Sequence, residues 1–340
     1  MTAGSQPTGG RRPTRAAQVG APGRLPARQP RQVNPLAALL LAPNPGPMTL
    51  EGTNSWVLRA PGHDGCVVID PGPDDEEHLA TLAAAGSVTT ILLTHGHFDH
   101  SEGAAVLHEL TGAPVRALDP AHRLGSEGLV EGDVVAAAGI ELRVMATPGH
   151  SADSLSFLLF GDSADLADPA GKADTAVCAG KGDTAGPAGK GGTAGPAGKG
   201  GTAGPAGKGG TVVAAGAPLA VLTGDTILGR GTTVVAHPDG RLADYLASLR
   251  RLADLPEGTA VLPGHGPELA DASTVASYYL AHRAQRLDQV KAALAAAGVG
   301  PAAATPRAVV ERVYADVDPI LWPAAELSVR AQLDYLRDHP

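Results

Sequence analysis

Four side chains with metal-ligand chemistry fall within six consecutive positions: His95, His97, Asp99 and His100, in the run Thr94-His95-Gly96-His97-Phe98-Asp99-His100. Neutral imidazole and carboxylate are good ligands for zinc-like divalent cations. Three histidines and an aspartate exceed what one tetrahedral ion needs if it is also to keep an open catalytic position. The cluster points to two divalent metal ions and a hydrolytic reaction. Zinc is the first expectation; iron and manganese are alternatives, because N/O ligand sets serve all three.

Such a cluster needs a rigid element to deliver it. The apolar run Val88-Thr89-Thr90-Ile91-Leu92-Leu93 directly before it reads as a buried strand. Four further polar residues repeat that arrangement, each in a short turn just past a strand-like run. Asp70 follows Cys66–Ile69, His150 follows Glu141–Ala146, Asp225 follows Leu219–Leu222 and His265 follows Thr259–Leu262. Strand-like runs also occur at Asn54–Arg59, Pro114–Leu118 and Ser154–Phe160, with Leu36–Ala42 read as the first core strand. Helical patterns at Glu76–Ala85, Gly103–Leu110 and Asp244–Leu255 interrupt them, as in a layered α/β domain. After Leu262 the periodicity is purely helical, over Ala272–Ala297, over a helix opened by Thr305 and Pro306, and over Ala324–Arg337. A small all-α appendage over 271–340 is expected to follow a main domain over 34–270.

Two segments stand apart. Residues 1–33 carry six arginines, and the first acidic residue is Glu51. Their Pro and Gly content predicts a disordered tail. Without those six, 20 basic residues face 35 acidic ones, a balance of −15. An acidic body is a poor non-specific binder of nucleic acid. Residues 163–212 contain the recurring unit Gly-Pro-Ala-Gly-Lys-Gly-Gly-Thr-Ala from Gly186 and predict a low-complexity, flexible loop inserted between two strands. Cys66 and Cys178 form no disulfide framework, and no apolar stretch approaches the ~20 residues of a membrane span. The expected location is cytoplasmic, away from membranes.

Taken together, these motifs resemble the metallo-β-lactamase fold superfamily. The run Asn44-Pro45-Gly46-Pro47-Met48-Thr49-Leu50-Glu51-Gly52-Thr53-Asn54 and the segment Gly229-Arg230-Gly231-Thr232-Thr233 narrow the resemblance to the β-lactamase-like-protein-2, endoribonuclease-like subgroup. The resemblance implies a four-layer αββα sandwich with a winged-helix-like C-terminal appendage. It implies that His95, His97 and His150 hold one ion, that Asp99, His100 and His265 hold the second, and that Asp225 bridges them. Asp70 would support the histidine loop from outside the ligand shell. The expected chemistry is attack by a metal-bridging hydroxide on a phosphodiester (single-stranded RNA) or a small ester or thioester. Asp99 and Asp225 would assist as catalytic carboxylates, with no organic cofactor. The gap from His150 to Asp225 departs from the family until the repeat-bearing segment is set aside. The C-terminus also lacks room for a β-wing after its last helix, which weakens a nucleic-acid role there. Arg230, His282 and Arg283 are candidates for binding an anionic substrate group, or equally for surface ion pairs. His63, His78, His108, His122 and His339 read as surface or loop residues, and His237 as a loop residue. A competing reading is a non-catalytic metal-binding scaffold that recruits partners through its tail and repeat.

Overall fold

The computed structural model describes residues 29–161 and 216–339. Most of the arginine-rich tail and the whole Gly-rich repeat therefore lie outside the described residues. Two sheets form the centre. The first has strands in spatial order β1 (Arg31–Asn34), β2 (Ala37–Leu41), β3 (Asn54–Leu58), β4 (Gly65–Ile69), β5 (Ser87–Leu92) and β6 (Val115–Arg116). The second runs β11 (Ala260–Pro263), β10 (Ala220–Gly224), β9 (Leu155–Phe160), β8 (Ile140–Ala146) and β7 (Val134–Ala137).

Strand composition follows from burial on both faces. In β4, Val67 and Ile69 point between the sheets, where they meet Trp56, Leu92, Leu142, Phe157 and Leu222. Cys66 and Val68 point the other way, onto α1 (Glu76–Ala83) and α3 (Ala104–Thr111). A strand covered twice must be apolar throughout, which is why it reads as a run and not as an alternation. In the second sheet Ala220, Leu222 and Leu262 face the sandwich interior. Val221 and Val261 face α4 (Leu242–Ala253) and α5 (Ala272–Ala297). The layer order is αββα, as the resemblance implied.

Helix α5 belongs to two cores. Ala272, Ala276 and Tyr279 pack on the sandwich. Val290 and Leu294 pack with α6 (Pro306–Val313) and α7 (Trp322–Asp338). Among the described residues this C-terminal unit contains helices only.

Two sequence expectations need correction. Arg31–Asn34, assigned to the tail up to residue 33, form an edge strand antiparallel to β2. His78 is buried, with its Nε2 2.9 Å from Ser55 Oγ, and is not a surface residue. Thr305 is the N-cap of α6 with Pro306 at the first helical position, as expected, although its side chain makes no capping hydrogen bond. The strands on either side of the repeat-bearing segment, β9 and β10, pair directly as antiparallel neighbours.

Candidate metal centre

Topology alone gathers the functional turns. Strands β4 and β5 are parallel, so Asp70 and the His95–His100 loop leave the first sheet at the same edge. Strands β8 and β10 are each antiparallel to β9, and β10 is parallel to β11. The turns carrying His150, Asp225 and His265 therefore leave the second sheet together. A backbone bond from Leu155 N–H to the Thr94 carbonyl, 2.7 Å, ties the two edges. Asn54 fastens the His265 turn: its Nδ2 donates to the carbonyls of Pro263 (2.9 Å) and Gly266 (2.8 Å).

All seven ligand candidates converge. His95 Nε2 lies 3.1 Å from His97 Nδ1, which lies 3.0 Å from His150 Nε2. On the other side His100 Nε2 is 3.2 Å from His265 Nε2, and His265 Nε2 is 3.1 Å from Asp99 Oδ2. Asp225 stands between the groups, with Oδ1 3.4 Å from both His100 Nε2 and His265 Nε2 and Oδ2 3.7 Å from His150 Nε2. Bonds of 2.0–2.1 Å to a tetrahedral ion place donors roughly 3.3–3.4 Å apart. The observed separations are on that scale. Three donor groups come within 4.8 Å internally and can each hold an ion: His95/His97/His150, His95/His100/Asp225 and Asp99/His100/His265.

Two observations fit these donors to metal better than to a hydrogen-bond network. Asp225 Oδ1 is buried with no hydrogen-bond partner, a costly state for a carboxylate oxygen. The histidines that present Nε2 inward also have Nδ1 held from behind, as metal ligation requires. His100 Nδ1 donates to Asp70 Oδ2 (2.9 Å), His150 Nδ1 to the Val234 carbonyl (2.7 Å) and His265 Nδ1 to the Gly52 carbonyl (3.1 Å). His95 Nδ1 meets Thr94 Oγ1 at 3.0 Å, and that hydroxyl donates to Asp70 Oδ2 at 2.7 Å. Asp70 also accepts from the Thr94 amide (2.8 Å), and it reaches all three donors from a left-handed backbone, φ 52°. Aspartate tolerates that conformation better than most residues.

The electrostatics point the same way. Burial, then the neighbouring His100 and His150, hold His95 well below the ordinary histidine range. Burial likewise lowers His150. Burial opposes charge on His265 too, but Asp225 and Asp99 outweigh it and raise its pKa to about 9. Burial would push the Asp225 carboxyl up; His265 and His100 outweigh this and hold it well below the usual carboxylate range. The centre attracts positive charge around Asp225, and a divalent cation satisfies that demand.

Sequence reasoning missed the carbonyls of Gly52 and Val234, the relay through Thr94, and the contact of Thr53 Oγ1 with Asp99 Oδ2 at 3.5 Å. His237 lies elsewhere, 2.9 Å from Asp334 on α7. A cavity of about 330 Å³ opens from His150 and Asp225 and runs between the sandwich and the C-terminal helices. Arg230, His282 and Arg283 all reach it. Phe98, in the ligand loop, is 80% exposed.

Comparison with known proteins gives concordant results. Residues 48–167 match the metallo-beta-lactamase superfamily, and residues 305–338 match the beta-lactamase associated winged helix domain. The chain is 28% identical over 273 residues to an atrochrysone carboxyl ACP thioesterase of Aspergillus fumigatus, covering 77% of this chain and 66% of the relative. It is 26% identical over 260 residues to a beta-lactamase-like protein 2 homolog of Caenorhabditis elegans, covering 73% and 67%. The chain thus spans about two-thirds of the length of these relatives, and slightly less of the first. In fold it is similar to a beta-lactamase domain protein from Burkholderia ambifaria, with TM-score 0.62, 19% identity and coverage of 93% and 90%. A metallo-beta-lactamase family protein from Thermus thermophilus gives TM-score 0.60, 20% identity and coverage of 90% and 95%.

Proposed function

This chain carries a metallo-β-lactamase superfamily hydrolase domain, and from that premise we propose that it is a dinuclear, zinc-dependent thioester hydrolase. His95, His97 and His150 would hold one ion, Asp99, His100 and His265 the other, and Asp225 would bridge them. The observation that carries this reading is the orphaned, buried Asp225 Oδ1 between two donor groups of ligand spacing. When bound, the ions supply a water nucleophile of lowered pKa and stabilise the oxyanion that develops on the substrate carbonyl.

The chain's own residues do the rest. Asp70 fixes His100 directly and His95 through Thr94, so both rings present Nε2 inward. The Asp99 and Asp225 carboxylates are held below the ordinary range, Asp99 against its burial by His265 and His100, so both are ionised acceptors at neutral pH. One of them takes the proton released as water adds. The thioester C–S bond breaks, a C–O bond to the water oxygen forms, and the sulfur takes that proton and leaves as the thiol.

A thioester is favoured over single-stranded RNA because the cavity beside the centre is small, about 330 Å³, and part of its wall is apolar, from Leu228, Val317 and Leu321. An RNA site would call for a run of stacking aromatics, and among the described residues Tyr314 is the one Phe, Tyr or Trp side chain lining this cavity. The similarity to a carrier-protein thioesterase supports the same choice. No helix among the described residues is long and apolar enough to cross a membrane. A cytoplasmic location, with the unpaired Cys66 buried, remains part of the proposal.

The test is a hydrolysis panel of acyl thioesters, single-stranded RNA and bis-p-nitrophenyl phosphate, with metal analysis, on wild type beside Asp225→Ala. Expected are two equivalents of metal and thioester turnover in the wild type. The variant should hold one equivalent or less and lose about a hundredfold or more in rate, on the scale of other metal-site defects. Less than one equivalent in the wild type, with nothing hydrolysed, would leave the scaffold reading. Cleavage of RNA alone would overturn the substrate class.

A further inference from the structure

The cavity between the sandwich and the C-terminal helices holds an unbalanced charge. Three arginines reach it, and two are neutralised: Arg230 pairs with Glu51, and Arg286 lies 3.8 Å from Asp316. Arg283 is different. It is 5% exposed, and among the described residues it forms no ion pair. One Nη2–H donates to the Thr233 carbonyl, and the guanidinium lies 5.0 Å from the centre of the Tyr245 ring. Its Nε–H is buried without any acceptor. A buried cation without a counter-charge, and with an unused donor, is expensive unless something anionic completes it. The surrounding field agrees, since burial, then Arg283 and Arg286, lower the pKa of the neighbouring His282.

Beside that charge the cavity has an apolar stretch of wall that includes Leu228, Val317 and Leu321, and its far end is formed by His150 and Asp225 of the candidate centre. A cleft with apolar wall and a few fixed polar groups is the usual design of a small-molecule subsite. We propose that this cavity is the acyl subsite of the hydrolase, and that it takes a small organic acyl group whose far end bears a carboxylate received by Arg283. The assignment rests on the thioesterase reading above; what it adds is the chemistry of the acyl group. The volume, about 330 Å³, suits a compact acid and not a polymer. Arg283 is a specificity residue in this scheme, remote from the reacting carbonyl.

The test uses N-acetylcysteamine thioesters in matched pairs, succinyl against butyryl, adipoyl against hexanoyl and suberoyl against octanoyl, on the metal-loaded protein. In the best pair the carboxylate-ended substrate should have at least a tenfold higher kcat/KM, expressed mainly in KM. Arg283→Met should bring that ratio close to one, and Arg283→Lys should retain part of it. A lost charge-assisted hydrogen bond has effects of tenfold or more. No preference in the wild type, or a preference unchanged in Arg283→Met, would overturn the proposal. Calorimetry with hexanoate and hexanamide on wild type, before and after chelation, covers the case in which Arg283→Met does not fold. Hexanoate should bind at least tenfold more tightly than the amide in both states. Binding lost on chelation would place the carboxylate on the metals and refute the Arg283 assignment. If no thioester is hydrolysed but hexanoate still binds to the chelated protein, the hydrolase reading fails and the anion site stands.

Discussion

A metal-binding imidazole is oriented by a partner on its second nitrogen, and for the candidate ligands His95, His100, His150 and His265 that task is divided among unlike partners. Asp70 serves His100 and, through Thr94, His95; plain carbonyls serve His150 and His265. Replacing Asp70 by Asn keeps the shape but removes the charge that steadies two ligands. Metal affinity should fall 10–100-fold, as read by chelator competition, with the fold retained. Gly264 gives a second test at this scale. A Cβ there would stand 2.6 Å from Asp225 Oδ1 and 2.8 Å from His100 Cε1. Gly264→Ala should therefore lower metal content well below that of wild type, while circular dichroism stays unchanged. Side chains of the centre were legible in the sequence because each sits in a short turn after a hydrophobic run. The Gly52 and Val234 acceptors were not, because every residue has a carbonyl and only the chain path selects which ones matter.

Elements differ in how clearly their sequences announce them. Strands β4, β10 and β11 were readable since burial on both faces forces continuous apolar runs, whereas β5 exposes Ser87 and Thr89 and is buried throughout only from Thr90. Strand β1, Arg-Gln-Val-Asn, carries no such pattern, because it is an edge strand held by pairing to β2. Strand β7 is four residues long, and α2 (Phe98–Ser101) is a single turn inside the ligand loop. The long helix α5 is legible over its whole length, and its start is held by the Asp271 carboxylate, which accepts from Thr274 N–H at 2.7 Å. That bond, with a second from the Gly258 amide, holds the Asp271 carboxyl well below its ordinary range. A depressed carboxyl pKa gives stability that is present above the unfolded value, about 3.9, and is lost as pH falls towards the folded one. Asp271→Asn can still cap the helix, but its amide does not titrate over that range. The variant should show a shallower loss of Tm than wild type as pH is lowered from about 5 to 2.

At the scale of the whole molecule, the sandwich and the helical unit were foreseeable, but the cavity between them was not. Its walls come from segments distant in the chain, and no spacing links Asp225 to Val317 or Leu321. The repeat is a separate matter. Strands β9 and β10 pair directly across the chain ends that lead into it, with Leu159 opposite Ala220. Closing a long loop over a formed ladder adds only a slowly growing entropy cost. Deleting residues 165–212 should therefore leave metal content and hydrolysis at wild-type levels; loss of both would give the repeat a structural role. Helix α5 carries the remaining consequence. The sandwich supplies all seven candidate donors, α5 carries Arg283, and the segment beyond α5 supplies Tyr314, Val317 and Leu321 of the opposite cavity wall. Homologous swaps of residues 300–339 should then change the size and shape of the acyl groups accepted, with Arg283 and the candidate donors retained, a separation open to descent and to engineering alike.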